Sequence, residues 1–132
     1  MCIRDSYKDI DQMGIVYYSR YFEFFESART ELLKPIGISV RDIEADNIFL
    51  PVVSATCDYR KSAKFEDELI VIASISEPPS ARLNIEYNVL ANDKSVLATG
   101  KTTHGFIDKS GKPKRPPRLL ISKIKSLLNN ES

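Results

Sequence analysis

The apolar residues of this chain change their spacing once, from a helical period near the start to alternation after residue 51. In the first segment they recur at steps of three and four, which is the spacing of one helix face. These positions are Tyr21, Phe24, Phe25, Ala28, Leu32 and Leu33. We expect this helix to be capped by Ser19 and to end before Pro35, because proline cannot continue a helix.

The alternation that follows predicts four strands. They cover residues 52–59, 68–76, 82–90 and 96–107, and residues 119–128 return to a helical period. Gly100 and Gly105 lie inside the last predicted strand, where glycine indicates a bulge or the close approach of another segment. One long helix, a meander of four strands and a short terminal helix indicate an α+β fold with an antiparallel sheet.

The predicted sheet has apolar residues on both faces. Ile70 and Ile72 alternate with Leu69 and Val71 along one strand, so the two pairs face opposite ways. A single helix covers only one face of a sheet. We therefore expect a second subunit to cover the other face.

Size and composition limit the class of protein. The chain has 132 residues, 42% of them hydrophobic, and a formal net charge of +1. We predict a single domain spanning residues 1–132, with no electrostatic reason to bind nucleic acid or an anionic membrane. No apolar run approaches the roughly 18 residues needed to span a membrane. Cys2 and Cys57 form no disulfide framework, which is typical of reduced thiols in the cytoplasm.

An acidic pair and a glycine precede the helix. Asp9, Asp11 and Gly14 lie within a few residues of its predicted start. Helix starts carry unpaired backbone N–H groups, and the helix dipole favours negative charge there. An ionised carboxylate in the same place can act as a general base or as a nucleophile. Together they supply most of what hydrolysis of an activated acyl group requires.

The same region and the helix behind it form a pattern, Asp-x-Asp-x-x-Gly-x-Val-x-Tyr, then Tyr, then Glu-x-x-Arg. The matching residues are Asp9, Asp11, Gly14, Val16, Tyr18, Tyr21, Glu26 and Arg29. The pattern resembles the hotdog-fold acyl-CoA thioesterases of the 4-hydroxybenzoyl-CoA thioesterase type, and most closely those associated with the Tol-Pal system. Residues 98–108 also resemble the last strand of that family.

The resemblance implies a hotdog fold, in which an antiparallel sheet of about five strands wraps around the long helix. It also implies a homodimer or homotetramer with active sites at the subunit interface. Residues 1–6, Met-Cys-Ile-Arg-Asp-Ser, depart from the hydrophobic first strand of the family. We therefore expect the first strand to be truncated or atypical.

The resemblance assigns the catalytic role to Asp11, as base or nucleophile, and carbonyl polarisation to a backbone N–H near Tyr18. The predicted substrate-binding residues are Gly14, Ile15, Val16, Tyr17, Tyr18, Arg60 and Lys61. Coenzyme A is then part of the substrate, and neither a retained cofactor nor a metal is expected. Asp9 is expected to orient or cap the loop.

Basic residues form two clusters. One contains Arg60, Lys61 and Lys64; the other is a run without any acid, comprising Lys109, Lys112, Lys114, Arg115, Arg118, Lys123 and Lys125. They form a solvated surface or attract the phosphates of coenzyme A. Aromatic residues are not interleaved with them, which argues against binding of single-stranded nucleic acid.

Two other functions remain open. A hotdog dehydratase or hydratase usually needs an Asp–His pair, so a short distance between Asp11 and His104 would favour it. His104 is the only histidine, and a lone histidine in a strand is more often packed or hydrogen-bonded. A non-catalytic acyl-CoA-binding or interaction module would bind the same ligand without turnover.

Overall fold

The computed structural model describes residues 2–8, 18–34, 47–61, 68–91 and 93–130. Within these residues there are five strands and two helices. The strands are β1 (Cys2–Lys8), β2 (Val52–Tyr59), β3 (Glu68–Ser74), β4 (Leu83–Leu90) and β5 (Val96–His104); the helices are α1 (Tyr18–Leu33) and α2 (Arg118–Asn130). The predicted α+β class with an antiparallel sheet is confirmed.

The strand order in the sheet is β1-β3-β4-β5-β2, with every pair antiparallel. The predicted meander is wrong at one connection, because β2 pairs with β5 and not with β3. The second edge of β3 is occupied by β1, whose Cys2 lies opposite Ser74 and whose Lys8 lies opposite Glu68. The first strand therefore forms in spite of its atypical composition, and it pairs along its whole length.

Helix α1 ends at Leu33, before Pro35, as predicted. It begins at Tyr18, so Ser19 lies inside the helix and the prediction that Ser19 caps it is wrong. The segment contains neither glycine nor proline, so nothing interrupts helix formation there. All six apolar residues of the predicted stripe are buried, with exposed fractions of 3% or less. Helix α1 packs against β1 and β3.

The core lies between one face of the sheet and the helices. Strand β4 contributes Leu83, Ile85, Tyr87 and Val89, and α2 contributes residues that belong to the same cluster. The opposite face of the sheet is mostly polar where β4 and β5 meet. Its residues there include Asn84, Glu86, Asn88, Thr99, Lys101 and Thr103.

Three strands are shorter than predicted, and β4 lacks only its first predicted residue, Arg82. Strand β3 ends at Ser74 and β5 ends at His104. After β5, Ile107 forms isolated β-bridges with Phe49 and with Pro113. Glycine follows directly at position 105, where an entropic penalty weakens a strand. In the part of the chain described above, neither helix has the length and apolar character needed to cross a membrane.

Candidate active site

The predicted site residues fall into two groups. Asp9, Asp11, Gly14, Ile15, Val16 and Tyr17 lie outside the described residues. Tyr18 is the first residue of α1, and Arg60 and Lys61 directly follow the last residue of β2.

The start of α1 lies beside the end of β2. Tyr21, three residues into the helix, makes an edge-to-face contact with Tyr59, with ring centroids 5.2 Å apart and an interplanar angle of 79°. Tyr59 is the last residue of β2, and Arg60 follows it. The described parts of the predicted site therefore lie at the same end of the sheet.

The backbone of Arg60 and Lys61 is held by β5. Both N–H groups donate to the carbonyl oxygen of Leu97, at 2.8 Å from Arg60 and 3.1 Å from Lys61. Both side chains are exposed. Asp93 lies nearby, and its pKa is lowered mainly by hydrogen bonds from Ser95 and to a smaller extent by the charge of Lys61. Arg60 and Lys61 therefore place two cations at this end of the sheet, and a carboxylate partly balances the charge of Lys61.

Helix α1 points its amino end at this corner. The N–H groups of the first turn of an α-helix have no partner within the helix, and the helix dipole makes this end positive. The first turn of α1 contains no acidic residue, so it supplies no carboxylate to those donors. An oxygen atom that gains negative charge during a reaction would be stabilised here.

A buried chain of polar side chains lies between α1 and the sheet. Arg29 donates a hydrogen bond to the Tyr87 hydroxyl. Tyr87 Oη lies 2.8 Å from Thr102 Oγ1, and Thr102 Oγ1 lies 3.0 Å from His104 Nε2. His104 Nδ1 lies 3.4 Å from the Leu50 carbonyl oxygen, which can only accept. The proton of a neutral His104 is therefore on Nδ1, so Thr102 donates to Nε2 and Tyr87 donates to Thr102.

These hydrogen bonds make His104 a structural residue within the described part of the molecule. Burial, reinforced by the positive charge of Arg29, lowers the pKa of His104 from 6.5 to about 4. The imidazole is thus neutral at neutral pH, and its side chain is only 1% exposed. The predicted packed and hydrogen-bonded histidine is confirmed; its distance from Asp11 lies outside the described residues.

The roles of Tyr87 and Thr102 in this hydrogen-bonded network were not predicted from the sequence. The available signal was a hydroxyl on an otherwise apolar strand face. Tyr87 alternates with Ile85 and Val89, and Thr102 lies opposite Ile85 in the sheet. Buried hydroxyl groups require hydrogen-bond partners, so two of them on one face indicate a polar chain.

Three residues of the second basic cluster, Lys114, Arg115 and Arg118, help to line a cavity of about 530 Å³. Its lining residues are Ser80, Ala81, Lys114, Arg115, Pro116, Arg118 and Ile121, with no carboxylate among them. Ser80 and Ala81 precede β4, whose first residue lies opposite His104, whereas Tyr59 lies opposite Ala98. The stretch of β5 from Ala98 to His104 spans about 20 Å. Within one chain, the cavity is therefore at the other end of the sheet from the start of α1.

Among the residues that the structure describes, no group of three or more His, Cys, Asp or Glu side chains could hold a metal ion.

Comparison with known proteins gives consistent results. The family described as "Thioesterase-like superfamily" matches residues 6–124. The acyl-CoA thioesterase YbgC of Haemophilus influenzae is 34% identical over 91 residues, which cover 68% of this chain and 67% of that protein. The putative acyl-CoA thioesterase YneP of Bacillus subtilis is 32% identical over 105 residues, covering 78% and 75%. The crystal structure of the DHNA-CoA thioesterase from Staphylococcus aureus superposes with a TM-score of 0.80 at 26% identity, covering 100% of this chain and 93% of that one.

Proposed function

Since this chain belongs to the thioesterase-like superfamily and is a thioester hydrolase, we propose that it hydrolyses an acyl-CoA to the free acid and coenzyme A. The observation that supports this proposal is the position of the amino end of α1. It offers main-chain N–H donors, with no carboxylate in its own first turn, at the corner that also holds Arg60 and Lys61. Two of the relatives described above carry the name acyl-CoA thioesterase.

Asp11 provides the attacking group in this mechanism. It precedes the first residue of α1 by seven positions, with Gly14 between them. As a base, its carboxylate takes a proton from water, and the hydroxide adds to the thioester carbonyl and expels the thiolate. As a nucleophile, the carboxylate itself adds, the thiolate leaves, and water then cleaves the resulting anhydride. A burst of thiol before the steady state indicates the second route.

The N–H groups near Tyr18 hold the carbonyl oxygen while it gains negative charge. One such donor typically lowers the barrier by about 2.7–4 kcal/mol, and a positioned base typically adds about 10²–10⁴-fold. These two contributions give useful hydrolysis of a thioester, which is already activated.

In the hotdog arrangement that we propose, the sheet wraps around α1, and a second copy of the protein pairs with the outer edge of β2. Antiparallel pairing of β2 with its own copy places the Val52 end of one strand beside the Tyr59 end of the other. The cavity with Lys114, Arg115 and Arg118 then lies on the side where α1 of the other copy begins. Both basic clusters would thus approach one substrate, which fits the phosphates of coenzyme A at a site between subunits.

The test is release of free thiol from a panel of aromatic and aliphatic acyl-CoA substrates. We expect Asp11→Asn to reduce kcat about 10²–10⁴-fold, because the amide is neither a base nor a nucleophile. Asp9→Asn is the matched control, because it makes the same change two residues away, and we expect it to lose much less activity. Circular dichroism should show that both variants are folded.

Three results would contradict the proposal in different ways. Near-normal turnover by Asp11→Asn would reject the assigned role of Asp11 while leaving the hydrolase intact. Binding of acyl-CoA by the native protein without thiol release would favour the interaction module. Addition of water to an enoyl-CoA, with the thioester preserved, would favour the hydratase.

A further inference from the structure

Gly100 is the point where the Phe25 side chain of α1 meets the backbone of the sheet. It lies in β5, opposite Tyr87 of β4 and Cys57 of β2. A Cβ atom at this position would lie 2.5 Å from Cζ of Phe25 and 3.0 Å from the carbonyl oxygen of Thr56. Carbon atoms in contact are normally about 3.5–4.0 Å apart. The absence of a side chain at position 100 is thus what lets the Phe25 ring reach the strand.

The Phe25 ring is packed against an aromatic ring on each of two sides. It stacks on Tyr87 with centroids 4.3 Å apart and an interplanar angle of 15°, and Phe22 meets it edge-on at 5.8 Å. The side chain is 1% exposed. Because protein interiors are close-packed, a group added beneath the ring displaces the helix that carries it.

The same face of α1 is attached at two more points. Tyr21 contacts Tyr59 of β2, and Arg29 donates to Tyr87 of β4. Tyr21, Phe25 and Arg29 are spaced four residues apart, so they form one row along the helix. Phe25 occupies the middle of this row, about 10 Å along the axis from the first residue of α1.

We propose that Gly100 is a positioning residue for catalysis: it sets the height of α1 above the sheet, and so the position of the N–H groups at the start of the helix. The inference rests on the proposed function, in which those groups hold the thioester carbonyl. Gly100 itself touches no substrate. Its effect is transmitted through the Phe25 ring and the rigid helix.

Gly100→Ala tests the proposal. The ring has to retreat by about 1 Å to restore normal contact. A misplacement of that size can reduce catalysis by up to about 10²-fold. We expect kcat to fall about 10- to 100-fold with KM changed less than about twofold, since the N–H groups act mainly in the transition state. Gly105→Ala is the matched control, because its Cβ would meet only Cγ1 of Val53 at an ordinary 3.5 Å.

A second substitution separates positioning from damage to the core. Leucine lacks the ring atoms that meet position 100, so Phe25→Leu removes the clash. We expect Gly100→Ala with Phe25→Leu to have the same kcat, within about twofold, as Phe25→Leu alone. A folded Gly100→Ala variant with native kcat would overturn the proposal. If Gly100→Ala does not fold, a further fall in kcat from Phe25→Leu to the double variant overturns it instead.

Amide resonances of residues 18–21 in ¹H–¹⁵N NMR spectra give a readout without substrate. They should shift in Gly100→Ala and stay in place in Gly105→Ala. Unchanged resonances in Gly100→Ala would contradict the positioning role even if the hydrolase activity is demonstrated. Absence of thiol release from every acyl-CoA tested would reject the proposed function, while these spectra would still decide whether Gly100 positions α1.

Discussion

Strands β4 and β2 have the same length, eight residues, but opposite surroundings. Strand β4 has a neighbour on each side, and its inward residues Leu83, Ile85, Tyr87 and Val89 are at most 1% exposed. Strand β2 lies at an edge of the sheet, with no strand on its outer side among the described residues. Its Val52 and Val53 are 48% and 47% exposed.

The difference shows which apolar side chains are buried within one chain and which remain exposed. The inward side chains of β4 are fully buried within the chain, in a core cluster that includes residues of both helices. The valines of β2 have the β-branched side chains that favour strands, yet the described part of the chain does not cover them. An apolar edge strand is a template for pairing with another chain. We therefore predict that β4 contributes mainly to stability and that β2 is available for association with a second copy.

The largest expected effect is on β4. Ile85→Ala removes a side chain that is 0% exposed, and such truncations cost about 2–5 kcal/mol because they leave a cavity. Unfolding in urea, followed by circular dichroism, measures the loss. Asn88→Ala, on the exposed face of the same strand, is the control and should change the free energy of unfolding by about 0.5 kcal/mol or less. Equal losses for the two variants would mean that the inward face of β4 is not the core.

The local spacing of apolar residues was sufficient to predict β4 and α1. The alternation of Leu83, Ile85, Tyr87 and Val89 and the stripe of α1 were both evident in the sequence, and both are buried as predicted. Gly100 was predicted to be either a bulge or a point of close approach; it is a point of close approach, and its partner Phe25 was not predicted. These features depend on residues within one element, whose period is fixed by backbone geometry.

The placement of β2 could not be predicted in the same way. Its neighbour is β5, whose paired residues are about 40 or more positions away in the sequence, and the position beside β3 is taken by β1. Such pairings depend on the whole sheet and leave no local periodicity. For the site, the acid–glycine–helix pattern predicted a carboxylate beside the helix start, and the family resemblance assigned the catalytic role to Asp11; that role stays a prediction. The hydrogen-bonded side chains from Arg29 to His104 were not predicted, because they come from three separate elements, α1, β4 and β5.

Strand β5 lies between the two compared strands, and its His104 faces Leu83 of β4 and Val52 of β2. The folded protein holds the pKa of His104 at about 4, below 6.5. Between these values the unfolded chain binds a proton that the folded chain does not, so stability falls as the pH falls. The contribution of His104 to the free energy of unfolding is fully present above about pH 6.5. Up to about 3 kcal/mol of it is lost near pH 4. Urea unfolding at several pH values measures this slope.

His104→Gln is the control for this slope. The glutamine amide can donate and accept as the neutral imidazole does but does not titrate, so stability should not fall between pH 6.5 and 4.5. Asp93 and Asp108 also have lowered pKa values, each because of hydrogen bonds from a nearby serine. Their effects belong below pH 3.8, outside this window. A native protein with constant stability from pH 6.5 to 4.5 would show that His104 is not held neutral.

The smallest expected effect concerns β2, where the folded chain itself loses little. Val53→Lys places a charge on a half-exposed edge position, a device that blocks strand pairing between chains. We expect its dissociation constant for self-association, measured by sedimentation equilibrium, to rise at least about tenfold, or about 1.4 kcal/mol. Ser126→Lys adds the same charge at an exposed residue of α2, about two helical turns beyond Arg118, and should leave association unchanged. If both variants associate as the native chain does, the exposed valines are not an interface, and the contrast between β2 and β4 reflects only the position of β2 at an edge.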